Sequence, residues 1–171
     1  MDVGHEKSFT KLTVNLDELT KLYRTLLDVC RKEKELLIAT DMPKLDENNK
    51  NKEAILYKIR SQDSARERYA KELALLIGGD VQNPRLLELA KILNGPEGDR
   101  LRVLHSSLEM LVSRVASLNK ENAQYAESAL GILNGALTNI KDALAGKKTY
   151  ARQGTMECGP DKAGNFVRKE A

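Results

Sequence analysis

Apolar residues along the chain recur at alternating spacings of three and four, as they do on one face of an α-helix. The first such run, Leu16, Leu19, Tyr23, Leu26, Cys30, Glu33 and Leu37, predicts a helix over about 14–40. Leu22, Leu27, Val29 and Leu36 widen that face, so this helix is expected to meet more than one neighbour. Residues 1–11 are polar and are expected to fray. A second run, Leu45, Asn48, Lys52, Ile55, Ile59, Gln62, Arg66, Tyr69, Leu73 and Leu76, predicts a helix over 42–77. Asp41 is placed to cap it, Pro43 is tolerated in its first turn, and the glycines at 78 and 79 end it. Its polar middle, Gln62 and Arg66, makes this seam the weaker of the two.

A short helix over about 84–93 carries Leu86, Leu87, Leu89, Ala90 and Leu93, and "NGPEGD" at 94–99 reads as a turn. The longest helix follows, over about 98–145, which at ~1.5 Å per residue is about 70 Å. Its stripe runs from Leu101, Leu104, Leu108, Leu111, Val115 and Leu118 through Asn122 and Tyr125 to Ala129, Ile132, Ala136, Asn139 and Ala143. Beyond Asn122 a flanking seam, Ala126, Leu130, Leu133, Leu137, Ile140 and Leu144, keeps the larger side chains, so the best apolar face rotates near mid-helix. After "AGKK" the period is lost. The expected fold is therefore all-α: an elongated antiparallel helical bundle or coiled coil of three long helices and one short one. Residues 1–146 would form a single domain and 147–171 a flexible, disordered tail.

Composition sharpens this picture. In 171 residues, 31% are charged, only 4% are aromatic and there is no Trp, which suits long helices better than a thick globular core. No apolar run is long enough to span a bilayer and no signal-peptide core opens the chain, so a cytoplasmic protein without membrane insertion is expected. The 28 basic and 25 acidic residues include six and three, respectively, from Lys147 onward, so the body holds 22 of each and the tail the whole excess of +3. Such a balance lacks the basic stripe and stacking aromatics of a nucleic-acid binder.

Candidate chemistry is absent. His5 and His105 are the only histidines and stand far apart, and Cys30 and Cys158 have no ligand company, so no metal site, cofactor site or catalytic residue is expected. "IGGD" lacks every other element of a phosphate loop. Acidic residues are scattered along helix faces, where solvation and i,i+4 pairing account for them. The chain reads as an interaction protein and not an enzyme.

The stretch that bears on interaction is "LNKENAQYAESALGILNGAL". Gly131, Asn134, Gly135, Thr138 and Asn139 give up roughly 3–4 kcal/mol of intrinsic helicity relative to alanine. The same turns carry Leu130, Leu133, Leu137, Ile140 and Leu144, each worth ~1.5–3 kcal/mol if fully buried. If the three long helices start level, the end of the third lacks an internal cover, and a partner or a second copy in a weak homodimer would supply it. The alternative is cover within the chain, by the short helix or a domain swap. Asn119 and Asn122 fall where the dominant stripe changes face. They read either as buried amides that fix register at a joint or as exposed amides on a helix shoulder.

These elements together resemble one family. "DMPKLDENNKNKEAILYKIRSQDSARERYA", with Leu45, Lys52, Leu56 and Arg66, looks like the second helix of the flagellar export chaperone FlgN family. "LLELAKIL" resembles its short helix, and "LVSRVASLNKENAQYAESAL" carries its Leu-Asn followed three residues on by a second Asn. "TYARQG" and "CGPDKAG" lie where the family has a Tyr-Gly-rich tail, with Ala151 in place of the glycine after Tyr150. The resemblance covers Leu16 to Gly159. It implies a cytoplasmic type III secretion chaperone that binds hook–filament junction proteins before export, prevents their premature association, and delivers them to export apparatus components. It also implies that the C-terminal helical region, here Leu130 to Leu144 with the tail, engages the cargo. Against it stand a self-assembling structural coiled coil and a helical regulatory adaptor.

Overall fold

A turn of two residues joins the first two helices and folds them into a hairpin. In this computed structural model, which describes residues 3–145, 149–150 and 156–157, α1 is Val3–Ala39 and α2 is Met42–Ile77. Thr40 turns the chain with φ 56°, a left-handed conformation strained for a β-branched residue. The Asp41 amide donates to Leu36 O at 3.1 Å, and the Asp41 carboxylate caps α2 by accepting from the Lys44 amide at 3.2 Å. The helices run antiparallel, with Lys11 beside Glu72, Asn15 beside Gln62 and Glu33 beside Lys52.

α1 starts at Val3, well before the start near residue 14 that the pattern suggested. The polar opening conceals a continuation of the seam: Phe9 packs against the core and Leu12 is fully buried. Those contacts order the turns that composition alone would leave frayed. At this same open end of the hairpin α2 buries Ala70, Leu73 and Ala74 and packs Ile77, leaving Leu76, which the stripe had counted as inward, 49% exposed. Gly78 closes α2 in the left-handed conformation, φ 73°.

α3 is Leu86–Leu93 and α4 is Gly95–Leu144. The expected turn at 94–99 contracts to Asn94, which, like the first residue of α4, Gly95, has φ 53°. Pro96 sits in the first turn of α4, where its missing N–H removes no helical bond. The corner is tight because residue 98 is glycine: a Cβ there would fall inside contact distance of the Ala90 carbonyl oxygen. Arg102 also reaches back to donate to Ala90 O at 3.2 Å.

The chain divides into two compact units, Met1–Ala123 and Gln124–Ala171, and α4 runs from the first into the second. The first unit has two buried clusters. One joins Leu12 and Leu16 with Ala70 and Leu73, Leu89 and Ala90, and Leu101 and Leu104, so all four helices meet there. The other joins Leu19, Leu26 and Cys30 with Ile55, Ile59 and Val115. This is the all-α bundle of three long helices and one short helix that periodicity predicted. In the second unit, beyond α4, β1 (Thr149–Tyr150) pairs antiparallel with β2 (Met156–Glu157), Thr149 opposite Glu157 and Tyr150 opposite Met156. The rest of the expected tail lies outside the described residues.

Candidate functional site

Helical spacing puts Glu33 on α1, Lys52 on α2 and Asn119 and Asn122 on α4 at seam positions, where a Leu-rich bundle would otherwise place apolar groups. The structure brings these four together at the level of Cys30. Lys52 Nζ lies 2.8 Å from Glu33 Oε2 and donates to Asn119 Oδ1 at 2.7 Å. Asn122 Nδ2 donates to Glu33 Oε2 at 2.8 Å and to the Cys30 carbonyl at 2.9 Å. The Cys30 thiol donates to Asn119 Oδ1 at 3.3 Å. One turn along the hairpin, Asn48 Nδ2 donates to Val29 O at 3.2 Å.

The electrostatics follow from burial. Glu33 and Lys52 side chains are 14% and 17% exposed, so each charge depends on the other and on the amides for the solvation it has lost. Asn122 is 4% exposed, and its Oδ1 is buried with no hydrogen-bond partner. Burial pushes the Cys30 thiol above its ordinary value, with Glu33 adding to the rise and Lys52 opposing it. Of the two readings open for Asn122, the buried amide is the one observed; Asn119 is half-buried, with its Oδ1 accepting from both Lys52 and Cys30. Glu33 and Lys52 carry the node as much as the asparagines do. Their signal was present in the sequence, as two opposite charges on seam positions of helices joined by one turn.

The distal part of α4 is different. Leu130, Leu133, Leu137, Ile140 and Leu144 are 48–61% exposed, and Ile132 is 76% exposed. Their spacing of three, four, three and four places the first five along one face. Every residue from 127 to 141 is exposed. The polar residues here satisfy their own helix: Ser128 donates to Gln124 O at 2.8 Å and Thr138 to Asn134 O at 2.9 Å. Beyond the adjoining residues and backbone of the helix itself, nothing lies within 4 Å of where a Cβ would stand at Gly131 or Gly135.

Elsewhere in the first unit an open hollow of about 430 Å³ is lined by Leu19, Tyr23, Asp63, Arg66, His105 and Glu109, among others. Burial and the nearby Asp63 raise the Tyr23 phenol above its ordinary value, with Arg66 opposing. His5 lies 3.6 Å from Glu97 and so belongs to the packed start of the bundle. Among the described residues no group of three or more His, Cys, Asp or Glu is placed to hold a metal ion, and no helix is long and apolar enough to cross a membrane.

Comparison with curated proteins and with solved structures finds no significant match. The sequence model of one family, described as FlgN protein, matches residues 1–157, a span that includes the polar node, the exposed face and both strands. The chain therefore belongs to the FlgN family, a family of flagellar export chaperones.

Proposed function

We propose that this protein is a cytoplasmic chaperone of flagellar type III secretion that holds a hook–filament junction protein on the exposed face of α4 until it reaches the export apparatus. The observation that carries this reading is the face itself: Leu130, Leu133, Leu137, Ile140 and Leu144, each about half exposed, on turns of α4 that also carry Gly131 and Gly135. Covering such a face returns about half of each side chain's full burial energy, or ~1 kcal/mol per residue. That gross gain, offset by the cost of ordering both segments, suits a reversible hold. The cargo segment would be a disordered terminus that becomes an amphipathic helix against α4, so that two wet apolar faces become one dry seam. No bond is made or broken.

The experiment is the double variant Leu133→Asp with Leu137→Asp. Purified junction protein should lose binding to it in calorimetry, while thermal unfolding of the bundle stays at the wild-type midpoint. Unchanged binding sinks the assignment of this face. If binding persists and only sedimentation changes, the face joins two copies of the chain instead.

A further inference from the structure

The way α4 is attached changes along its length. Leu101 and Leu104 are buried in the cluster that all four helices share, and Gly98 locks the same end against Ala90. Val115 is the last buried apolar residue of α4. From there to Ala123 the one buried residue is Asn122, with Leu118 and Asn119 half-buried. Asn119 accepts from Lys52 and Cys30, Asn122 donates to Cys30 O and Glu33, and Lys34 pairs with Glu121 at 2.8 Å. The proximal turns are held by leucine burial; these turns are held mainly by polar groups, with half-buried Leu118 their one apolar contact to the second cluster.

We propose that Asn119 and Asn122, seated on Cys30, Glu33 and Lys52, form a polar latch that lets residues 116–123 of α4 open and close as a unit while Leu101–Val115 stays packed. Three features make the opening local. Hydrogen bonds broken on release re-form with water, whereas leucines torn from a seam gain nothing in exchange. Glu33 and Lys52 sit on α1 and α2, so their ion pair survives when α4 leaves, and neither charge is stranded. Asn122 Oδ1 lacks a partner in the closed state and acquires water in the open one, which narrows the gap between the two. The latch lies wholly within the first unit and stands whether or not Leu130–Leu144 binds cargo.

Cys30 reports on it, because its thiol is fully buried and bonded to Asn119. With Cys158→Ser, Cys30 is the sole thiol of the full chain. Its reaction with an aromatic disulfide reagent is measured beside hydrogen exchange resolved along α4. In this background, amides of 116–123 should exchange faster than those of 101–111. Asn122→Ala should speed both the thiol reaction and exchange over 116–123 by about tenfold or more, leaving 101–111 unchanged. Asn119→Ala should do the same to a smaller extent and serves if the Asn122 variant does not fold. Equal protection of 116–123 and 101–111 before any node substitution overturns the proposal. So does an Asn variant that accelerates exchange evenly through α1, α2 and α4, or one that moves neither readout.

Discussion

Lys52 and Glu33 meet at 2.8 Å across the hairpin with both side chains more than four-fifths buried. An ion pair in that setting is worth little against an apolar pair of similar size, yet removing one partner leaves the other charged and poorly solvated. Lys52→Met should therefore destabilise the protein by about 1–3 kcal/mol, the lower end applying where Asn122 and incoming water relieve Glu33. Lys52→Met combined with Glu33→Leu should recover to within about 1 kcal/mol of wild type. Urea unfolding of the three proteins measures this. A double variant no better than the single would mean that the loss is one of packing and not of charge.

Gly98 makes the opposite point, a position where less side chain gives more structure. Any Cβ there meets the Ala90 carbonyl, a backbone atom that cannot swing aside, so Gly98→Ala must push α3 off α4. The expected loss is about 1–3 kcal/mol, although alanine is the better helix former. Thermal melting of this one variant decides it, since an unchanged or raised midpoint would show the corner to be slack.

The contact between Lys34 and Glu121 gives a pH dependence whose sign is fixed. The ammonium hydrogen-bonded to Glu121 holds that carboxyl below its ordinary value. Because the folded-state value is lower than the unfolded one, the contact contributes fully above the ordinary carboxylate range. Its contribution disappears as pH falls through the lowered value. Both side chains are about half exposed, 46% and 51%, so the effect on stability is small and salt-sensitive. Carboxyl titration by NMR should find Glu121 returning toward the ordinary value in Lys34→Ala, and a Glu121 midpoint that ignores the substitution would place the cause elsewhere.

How much of this was legible in the sequence depended on whether one helix or several set the outcome. Spacing alone placed Leu16, Leu19, Leu26, Cys30, Leu101, Leu104 and Val115 on inward faces, and all are buried. It also found the face at Leu130–Leu144, because a three-four pattern survives whether or not anything covers it. The early start of α1 was not legible, since Phe9 and Leu12 stand among polar residues and become informative only once a partner surface exists. Leu76 misled because the last turns of α2 pack on α3 as well as α1, which rotates the buried line to Ala70, Leu73, Ala74 and Ile77. The pairing of Glu33 with Lys52 needed the two-residue turn at Thr40 and Asp41 to set the level of one helix against the other.

Gly131 and Gly135 test what holds the distal part of α4 in helical form. With 127–141 exposed throughout, tertiary packing contributes little there and intrinsic propensity dominates. Beyond the adjoining residues and backbone of the helix itself, nothing lies within 4 Å of a Cβ at either glycine, so alanine brings no clash. Gly131→Ala with Gly135→Ala should then favour the helix by up to about 1 kcal/mol at each site, chiefly by restricting the uncoiled chain. Circular dichroism should show more helix, and hydrogen exchange should slow over 127–144 while α1, α2 and α3 keep their wild-type rates. If protection instead stays as it was, the distal turns are already held by something other than their own propensity, and the exposed face is covered in solution by a second copy of the chain.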